Sequence, residues 1–382
     1  MTPGKPIYLD YNATTPCDPR IVQAMMPYFT EIYGNPSNGL HSLGRAAHYA
    51  VDTARQKVAE LIGANSGEII FTSGATESNH LAILGTTYYA SESRRKIIAS
   101  SIEHKAVLEP CKRLVEQGFD LVVAPVTPDG VVDLDFLYQA IDENTFLISV
   151  QLANNEIGTI QPIEEVARLA RHKGALLHCD AAQAVGKIPV DVSKINPDLL
   201  SFSSHKIYGP KGIGALYIRG RSIPIYPLLV GGGQEFGLRA GSLNVPAIVG
   251  FGMACEIAKD EMVEESTRLG SYQSYLEASL IDSVSGLRIN GYRAPRLPNT
   301  TNMTLPNVEA DVFLLNLPNL MMSTGAACNT GAVEPSHVLQ AIGLSRDQAS
   351  RSVRVCTGRF TSKEEIIEAL DQIYGFFEVK FS

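Results

Sequence analysis

Lys206 is the residue of this chain that is hardest to read as a simple solvated charge. It follows the run Asp198-Leu-Leu-Ser-Phe-Ser-Ser-His and is succeeded by Ile-Tyr-Gly-Pro-Lys-Gly212, so an amine stands where an apolar segment meets a glycine-rich turn. Residues 198–203 and 213–218 read as two strands on either side of that turn, with Lys206 at the mouth between them. A lysine desolvated at such a place has a lowered pKa. It is then the residue type that condenses with an aldehyde such as pyridoxal phosphate. Ser203 and His205 offer hydrogen-bond donors beside it. Such chemistry needs three further parts: a phosphate cradle, an acidic partner for a pyridine nitrogen, and a group that stacks on a ring.

The elements that must position these parts follow from the apolar pattern. Strands are expected at 68–72, 96–100, 121–125, 146–151 and 175–179, and helices at 20–29, 40–62, 77–89, 105–117 and 163–172. In the second helix Ala47, Val51, Ala54, Val58 and Leu61 share one face. Near-continuous apolar strands alternating with amphipathic helices predict an α/β fold, with a mostly parallel sheet sandwiched by helices. Ligands of such sheets bind beyond the carboxyl ends of the strands. There the chain carries Ser73-Gly-Ala75-Thr76-Glu77, a small turn opening a helix whose amides suit a phosphate, although the P-loop spacing is absent. It also carries His104, placed to lie over a ring, Asn154-Asn155-Glu156, and Asp180 with Gln183 one turn on. A carboxylate ending an apolar strand is costly unless it meets a cation, and a protonated pyridine nitrogen is one.

At 382 residues and 45% hydrophobic, the chain can bury two cores of unequal size. From about Val245 a long helical stretch connects to a region of α+β character, and Thr361-Ser-Lys-Glu364 reads as a capping box for a last helix. The expected division is a large domain over 16–258 and a smaller α+β domain formed by 1–15 and 259–382. A formal charge of −8 argues against direct nucleic-acid or anionic-membrane binding. With no apolar targeting segment at the start and no membrane-length apolar run, a cytoplasmic protein is expected. Cys17, Cys111, Cys179, Cys255, Cys328 and Cys356 show no C-x-x-C spacing, so neither zinc nor a disulfide framework is indicated.

Taken together, the motifs are similar to those of fold-type I pyridoxal-phosphate enzymes, and the chain most resembles the cysteine desulfurases of the NifS/IscS type within the class-V aminotransferases. The resemblance spans nearly the whole sequence. It is carried by Tyr8-Leu-Asp-Tyr-Asn-Ala-Thr-Thr15, Gly34-Asn-Pro-Ser37, Phe71-Thr-Ser-Gly-Ala-Thr-Glu-Ser78, Glu103-His-Lys105 and Asn154-Asn-Glu-Ile-Gly158. Asp180-Ala-Ala-Gln183, Ser204-His-Lys-Ile-Tyr-Gly-Pro-Lys-Gly-Ile-Gly214, Gly231-Gly-Gly-Gln-Glu235, Arg239-Ala-Gly-Ser242, Ser323-Thr-Gly-Ala-Ala-Cys328 and Arg354 extend it.

The resemblance implies a role for each position. Lys206 would bind the cofactor covalently and later move protons, Asp180 would pair with the ring nitrogen, and His104 would stack on the ring and shuttle a proton. Gln183 and Asn155 would contact the ring oxygen or the substrate. Ala75, Thr76, Ser203 and His205 would hold the phosphate, while Ser242 would reach the phosphate of a neighbouring subunit, which implies a homodimer. Arg354 would clamp the carboxylate of L-cysteine, as a planar guanidinium suits. Cys328, in a segment (about 323–335) of small residues suited to moving rather than packing, would take sulfur as a persulfide, release alanine and pass the sulfur to an acceptor protein. Two departures stand out: Cys356 lies where the family often has serine, and Ala326-Ala327 replace a more usual Ser-Ala.

A selenocysteine lyase or an aminotransferase-like enzyme would use the same Lys206 and Asp180, but an aminotransferase has no need of Cys328. A sulfur-relay scaffold without turnover would not need Lys206, Asp180, His104 and Cys328 together. A dehydrogenase is disfavoured by the lack of G-x-G-x-x-G between strand and helix. The acceptor is left open among iron-sulfur assembly, transfer-RNA thiolation and DNA phosphorothioation. The end at Ser382, without the longer tail of some iron-sulfur members, turns the expectation toward a dedicated pathway such as DNA sulfur modification.

Overall fold

The computed structural model describes residues 6–324 and 335–381. After a short strand β1 (Ile7–Tyr8) come β2 (Ile69–Thr72), β3 (Lys96–Ser100), β4 (Asp120–Ala124), β5 (Thr145–Ser149), β6 (Leu176–Asp180), β7 (Leu199–Ser203) and β8 (Gly214–Ile218). β2 to β8 form one seven-stranded sheet in the order β2-β8-β7-β6-β5-β3-β4. β3 to β7 pair in parallel, and β8 runs antiparallel to both β7 and β2. β2 therefore points the same way as β3 to β7, and the carboxyl ends of all six gather along one edge. The residues of β2, β7 and β8 are buried throughout, which is why these strands carry mostly apolar and small residues with no charge and no regular alternation.

The helices Ser42–Leu61, Ala75–Thr87, Lys105–Val115 and Ile163–His172 match the periodic segments. The expected single helix over 20–29 is instead two, Pro19–Met25 and Pro27–Thr30, because Pro27 brings no amide hydrogen and can only begin a helix. The helix Ala75–Thr87 begins two residues earlier than its periodicity suggests, so Ala75 and Thr76 lie in its amide-rich first turn.

Two large groups of buried side chains are joined by the 39-residue helix Val245–Ser283. Its first half presses Val245, Ile248, Phe251 and Cys255 onto the sheet, and its second half gives Leu276 and Leu280 to the other core. That second core includes residues of β1, β10 (Thr300–Thr304), β11 (Leu320–Met321) and β13 (Ser352–Cys356) with the helix Lys363–Phe381, and Ile289 of β9 (Arg288–Ile289) packs against it; β12 (Ser323–Thr324) flanks β13. Here β12-β13-β10-β9 form an antiparallel sheet, and β1 pairs with β11. The final helix has a capping box one residue later than its sequence suggests. Ser362 and Glu365 exchange hydrogen bonds at 3.0 and 3.1 Å, because the buried Thr361 hydroxyl is already taken by the Gly358 amide at 3.0 Å. Among the described residues, no helix is long and apolar enough to cross a membrane.

Phe251, fully buried, meets Phe202 of β7 edge-on at 5.5 Å and Phe71 of β2 at 6.4 Å. Phe251→Ala should therefore destabilise the sheet core by about 3–5 kcal/mol, read as a lower urea midpoint at an unchanged m-value. An unchanged midpoint would mean the helix does not anchor the strand that carries Lys206.

Candidate active site

The gathered strand ends open onto a cleft of about 560 Å³. Its lining includes Ala75, Thr76, His104, Asn155, Asp180, Gln183, Ser203, His205, Lys206 and Arg354, residues from both ends of the chain. Ser242 is not among them; it lines a separate surface groove with Tyr33, Asn35 and Leu243. Cys328, with Ala326 and Ala327, lies outside the described residues.

Lys206 follows β7 through a single 3-10 turn, Ser204–Lys206. Its Nζ donates to the carbonyls of Asn12 at 2.6 Å and Ala13 at 2.7 Å. Burial, reinforced by the Arg354 charge, pushes the ammonium down to about 8 against the pull of Asp180 and Asp10. His205 beside it is pushed down to about 4 by burial and by the Lys206 and Lys211 charges, so it is neutral, and its Nδ1 pairs with Thr14 Oγ1 at 3.1 Å.

Asp180 is the last residue of β6 and is 7% exposed. Its oxygens accept from Asn79 Nδ2 at 2.7 Å and from the Ala182 amide at 2.9 Å, both neutral donors. No lysine or arginine pairs with it among the described residues, although it faces the cleft.

His104 caps the helix Lys105–Val115: its Nδ1 accepts the Ala106 amide at 3.1 Å, which leaves the proton on Nε2. Desolvation lowers its pKa, aided by the Lys206 and Lys105 charges and opposed by Asp180, so the ring is neutral near pH 7. Behind it, Glu103 is fully buried. Its Oε1 accepts from Ser100 Oγ at 2.5 Å and from the Gln151 amide at 2.8 Å, tying the end of β3 to the segment after β5. Burial raises its carboxyl to about 8, so it is mostly protonated at pH 7.

The turn at Ser73–Thr76 is shaped by a close approach. A Cβ on Gly214, the first residue of β8, would lie 2.6 Å from Gly74 Cα, so position 214 is held to glycine where backbone must meet backbone, while Gly74 is held by its φ of 154°. Glu77 folds back to accept the Ser73 amide at 2.7 Å and is neutralised by Arg239 at 2.9 Å. Ser203, His205 and Lys211 face this turn across the cleft.

Arg354, on β13, donates Nη1 to the Asn155 carbonyl at 3.0 Å and Nη2 to Asp10 Oδ1 at 2.6 Å, while its buried Nε has no partner. Asp10 also accepts Ser323 Oγ at 3.0 Å. Cys356, two residues on, is fully buried and does not line the cleft, and burial raises its thiol pKa, so it brings no second thiolate to the clamp.

Several residues of this site give little signal in the sequence. Asn12, Asn79 and Lys187 hold the site residues in place, and their only local signal is the spacing of polar residues along Asp180-Ala-Ala-Gln183-Ala-Val-Gly-Lys187 and within the N-terminal motif. Among the described residues, no cluster of histidine, cysteine or carboxylate side chains could hold a metal ion.

Comparison with known proteins agrees with the arrangement. The family model for aminotransferase class-V matches residues 7–369. Cysteine desulfurase IscS of Rickettsia rickettsii (strain Iowa) is 45% identical over 369 residues, covering 96% of this chain and 90% of that protein. A NifS-like protein of known structure superposes with a TM-score of 0.90 at 38% identity, covering 98% of this chain and 100% of its own. A structure of SspA in complex with cysteine gives 0.82 at 38% identity, over 93% of this chain and 99% of that one. The chain thus belongs to the class-V aminotransferase family, and within it to the NifS/IscS-type cysteine desulfurases.

Proposed function

We propose that the protein is a pyridoxal-phosphate-dependent cysteine desulfurase that converts L-cysteine to L-alanine and carries the sulfur on Cys328. The observation that carries the reading is Asp180: a buried, cleft-facing carboxylate that pairs with no lysine or arginine among the described residues, in one cleft with a lysine whose ammonium burial pushes down to about 8. The donor set fits the cofactor. Asp180 would pair with its ring nitrogen, His104 would cover the ring, and Lys206 would hold its aldehyde carbon. The amides of Ala75 and Thr76, with Ser203 and the neutral His205, would receive its phosphate. Bound there, the cofactor withdraws electrons from the α-carbon of the substrate and so labilises bonds at its β-carbon.

The protein's own groups supply the rest. Arg354, with an unpartnered Nε facing no other acceptor, would take the carboxylate of cysteine. Lys206 would move protons at the substrate's α-carbon, and His104 would deliver or accept one at Nε2. The Cys328 thiolate attacks the substrate sulfur, and the Cβ–S electron pair stays with carbon. That carbon takes up a proton and leaves as alanine, and the sulfur remains on Cys328 as a persulfide for an acceptor protein. One cysteine and one thiol become one alanine and one persulfide, so no outside oxidant or reductant is required.

A homodimer is part of the same proposal. Leu228, Leu229, Val230 and Phe236 are 40%, 49%, 77% and 48% exposed, an apolar stretch leading into Arg239–Ser242, and Ser242 lies outside its own chain's cleft. The free thiols Cys111, Cys179 and Cys255 suit a reducing cytoplasm.

Three measurements check this. Lys206→Ala should abolish the visible absorbance of the cofactor-loaded protein, whereas Cys328→Ala should keep the colour and lose alanine formation by at least about a hundredfold; a wild-type protein that stays colourless with cofactor would sink the reading. The rate at which the apoprotein captures cofactor should rise with pH through a midpoint near 8, because only the neutral amine reacts and burial lowers its pKa; a midpoint near the ordinary lysine value of 10.5 would contradict the buried amine. Arg354→Met should move that midpoint upward, since it removes a charge that disfavours the ammonium. Val230→Glu should shift sedimentation from dimer to monomer, and an unchanged dimer would place the interface elsewhere.

A further inference from the structure

Lys187 has no place in the chemistry above, yet its amine reaches the heart of the site. Its Nζ donates to Gln183 Oε1 at 2.7 Å and to Asn12 Oδ1 at 2.7 Å. The turn that brings it there depends on Gly186, at φ 75°, where a Cβ would lie 2.4 Å from Ile207, the residue after Lys206. The Lys187 carbonyl accepts Ser266 Oγ of the long helix at 2.5 Å, so the residue is tied at both ends. No carboxylate pairs with the ammonium among the described residues, and burial pushes it down to about 7. An aliphatic side chain of similar length would fill the same space without that desolvation cost.

What the amine accomplishes is to settle which way two amides face. The oxygen and nitrogen ends of an amide are alike in shape, and only their partners decide between them. With its Oε1 held by Lys187, Gln183 must present Nε2 as a donor, which gives one hydrogen to the Asn12 carbonyl at 2.9 Å and leaves the other for a ligand of the cleft that Gln183 lines. With its Oδ1 held by Lys187 and by Asn299 at 3.1 Å, Asn12 must donate Nδ2 to the Asn155 carbonyl at 3.1 Å and to Thr300 Oγ1 at 2.8 Å. The Asn12 carbonyl is the acceptor that Lys206 Nζ meets at 2.6 Å.

We propose that Lys187 is a positioning residue for the cofactor: it fixes Gln183 as a hydrogen-bond donor toward the ring oxygen of pyridoxal phosphate and holds the Asn12 carbonyl against Lys206. This rests on the cofactor assignment above. A donor directed at the ring oxygen draws negative charge from it and makes the nitrogen of Lys206 easier to deprotonate. Removing Lys187 lets the Gln183 amide turn its oxygen toward the ring oxygen, where two acceptors repel.

The test is a pH titration of the visible absorbance of the cofactor-loaded protein in wild type, Lys187→Met, Lys187→Gln and Lys187→Arg, with cofactor affinity measured by adding pyridoxal phosphate to each apoprotein. Lys187→Met should raise the titration midpoint by about one unit and weaken affinity about tenfold, the size expected for one lost hydrogen bond to a charged group. Lys187→Gln, which keeps one donor, should shift less, and Lys187→Arg should return most of the way to wild type. A midpoint in Lys187→Met within about 0.2 units of wild type would overturn the proposal, and Lys187→Leu, which also lacks a donor, decides by the same criterion if the methionine variant does not fold. Equal shifts in all three variants would also overturn it, since packing damage rather than the donor would then be responsible. A wild-type protein with no visible band would instead remove the cofactor reading itself.

Discussion

A buried carboxylate that pairs with no lysine or arginine among the described residues is the constraint on which the rest of this site depends. Asp180 ends β6 and is held by two neutral donors, Asn79 and the Ala182 amide. The arrangement makes physical sense when a ligand brings the missing charge. It also sets a distance. Asn79 belongs to the helix Ala75–Thr87, whose first turn lines the same cleft, so one helix fixes the carboxylate relative to the amides of Ala75 and Thr76.

The second requirement is an amine kept near neutrality, which the sheet cannot supply alone. Lys206 is held by carbonyls of Asn12 and Ala13, residues that leave the second core and cross to the strand ends. The same segment sends Asp10 to Arg354 and Thr14 to His205. Arg354, Lys206 and His205 are therefore coupled through one short stretch of backbone. Charges on Arg354 and Asp180 pull the lysine in opposite directions, and burial is the larger effect. A change at either core is thus felt at the amine.

Much of this was legible from residue order. The mostly apolar, uncharged runs of β2, β7 and β8 announce a sheet covered on both faces, and a parallel sheet implies a site at its carboxyl edge. Lys206, Asp180 and His104 each follow or end such a run, which is why their types could be read as chemistry. Local rules failed where a longer-range partner outbid them. Thr361 looks like a cap, but its hydroxyl serves Gly358, and the cap passes to Ser362. Asn79 and Lys187 look like ordinary polar residues of a helix and a turn, because nothing in their neighbourhood along the chain marks the distant groups they meet.

The sequence by itself determined the repertoire: which strands are buried, where their ends fall, and that an amine, a carboxylate and an imidazole stand at those ends. Periodicity and composition suffice for this because burial of a strand face depends on the residues of that strand. Only the tertiary structure decided how these groups act on one another. Whether Lys206 is charged depends on Arg354, 148 residues later, and on carbonyls near the N-terminus. Whether Asp180 has a counter-charge depends on how far the cleft's Lys206, Lys211 and Arg354 lie from it, and among the described residues none of them pairs with it. Desolvation and charge act through space at a few ångströms, and chain order carries that information only after folding has brought the ends together.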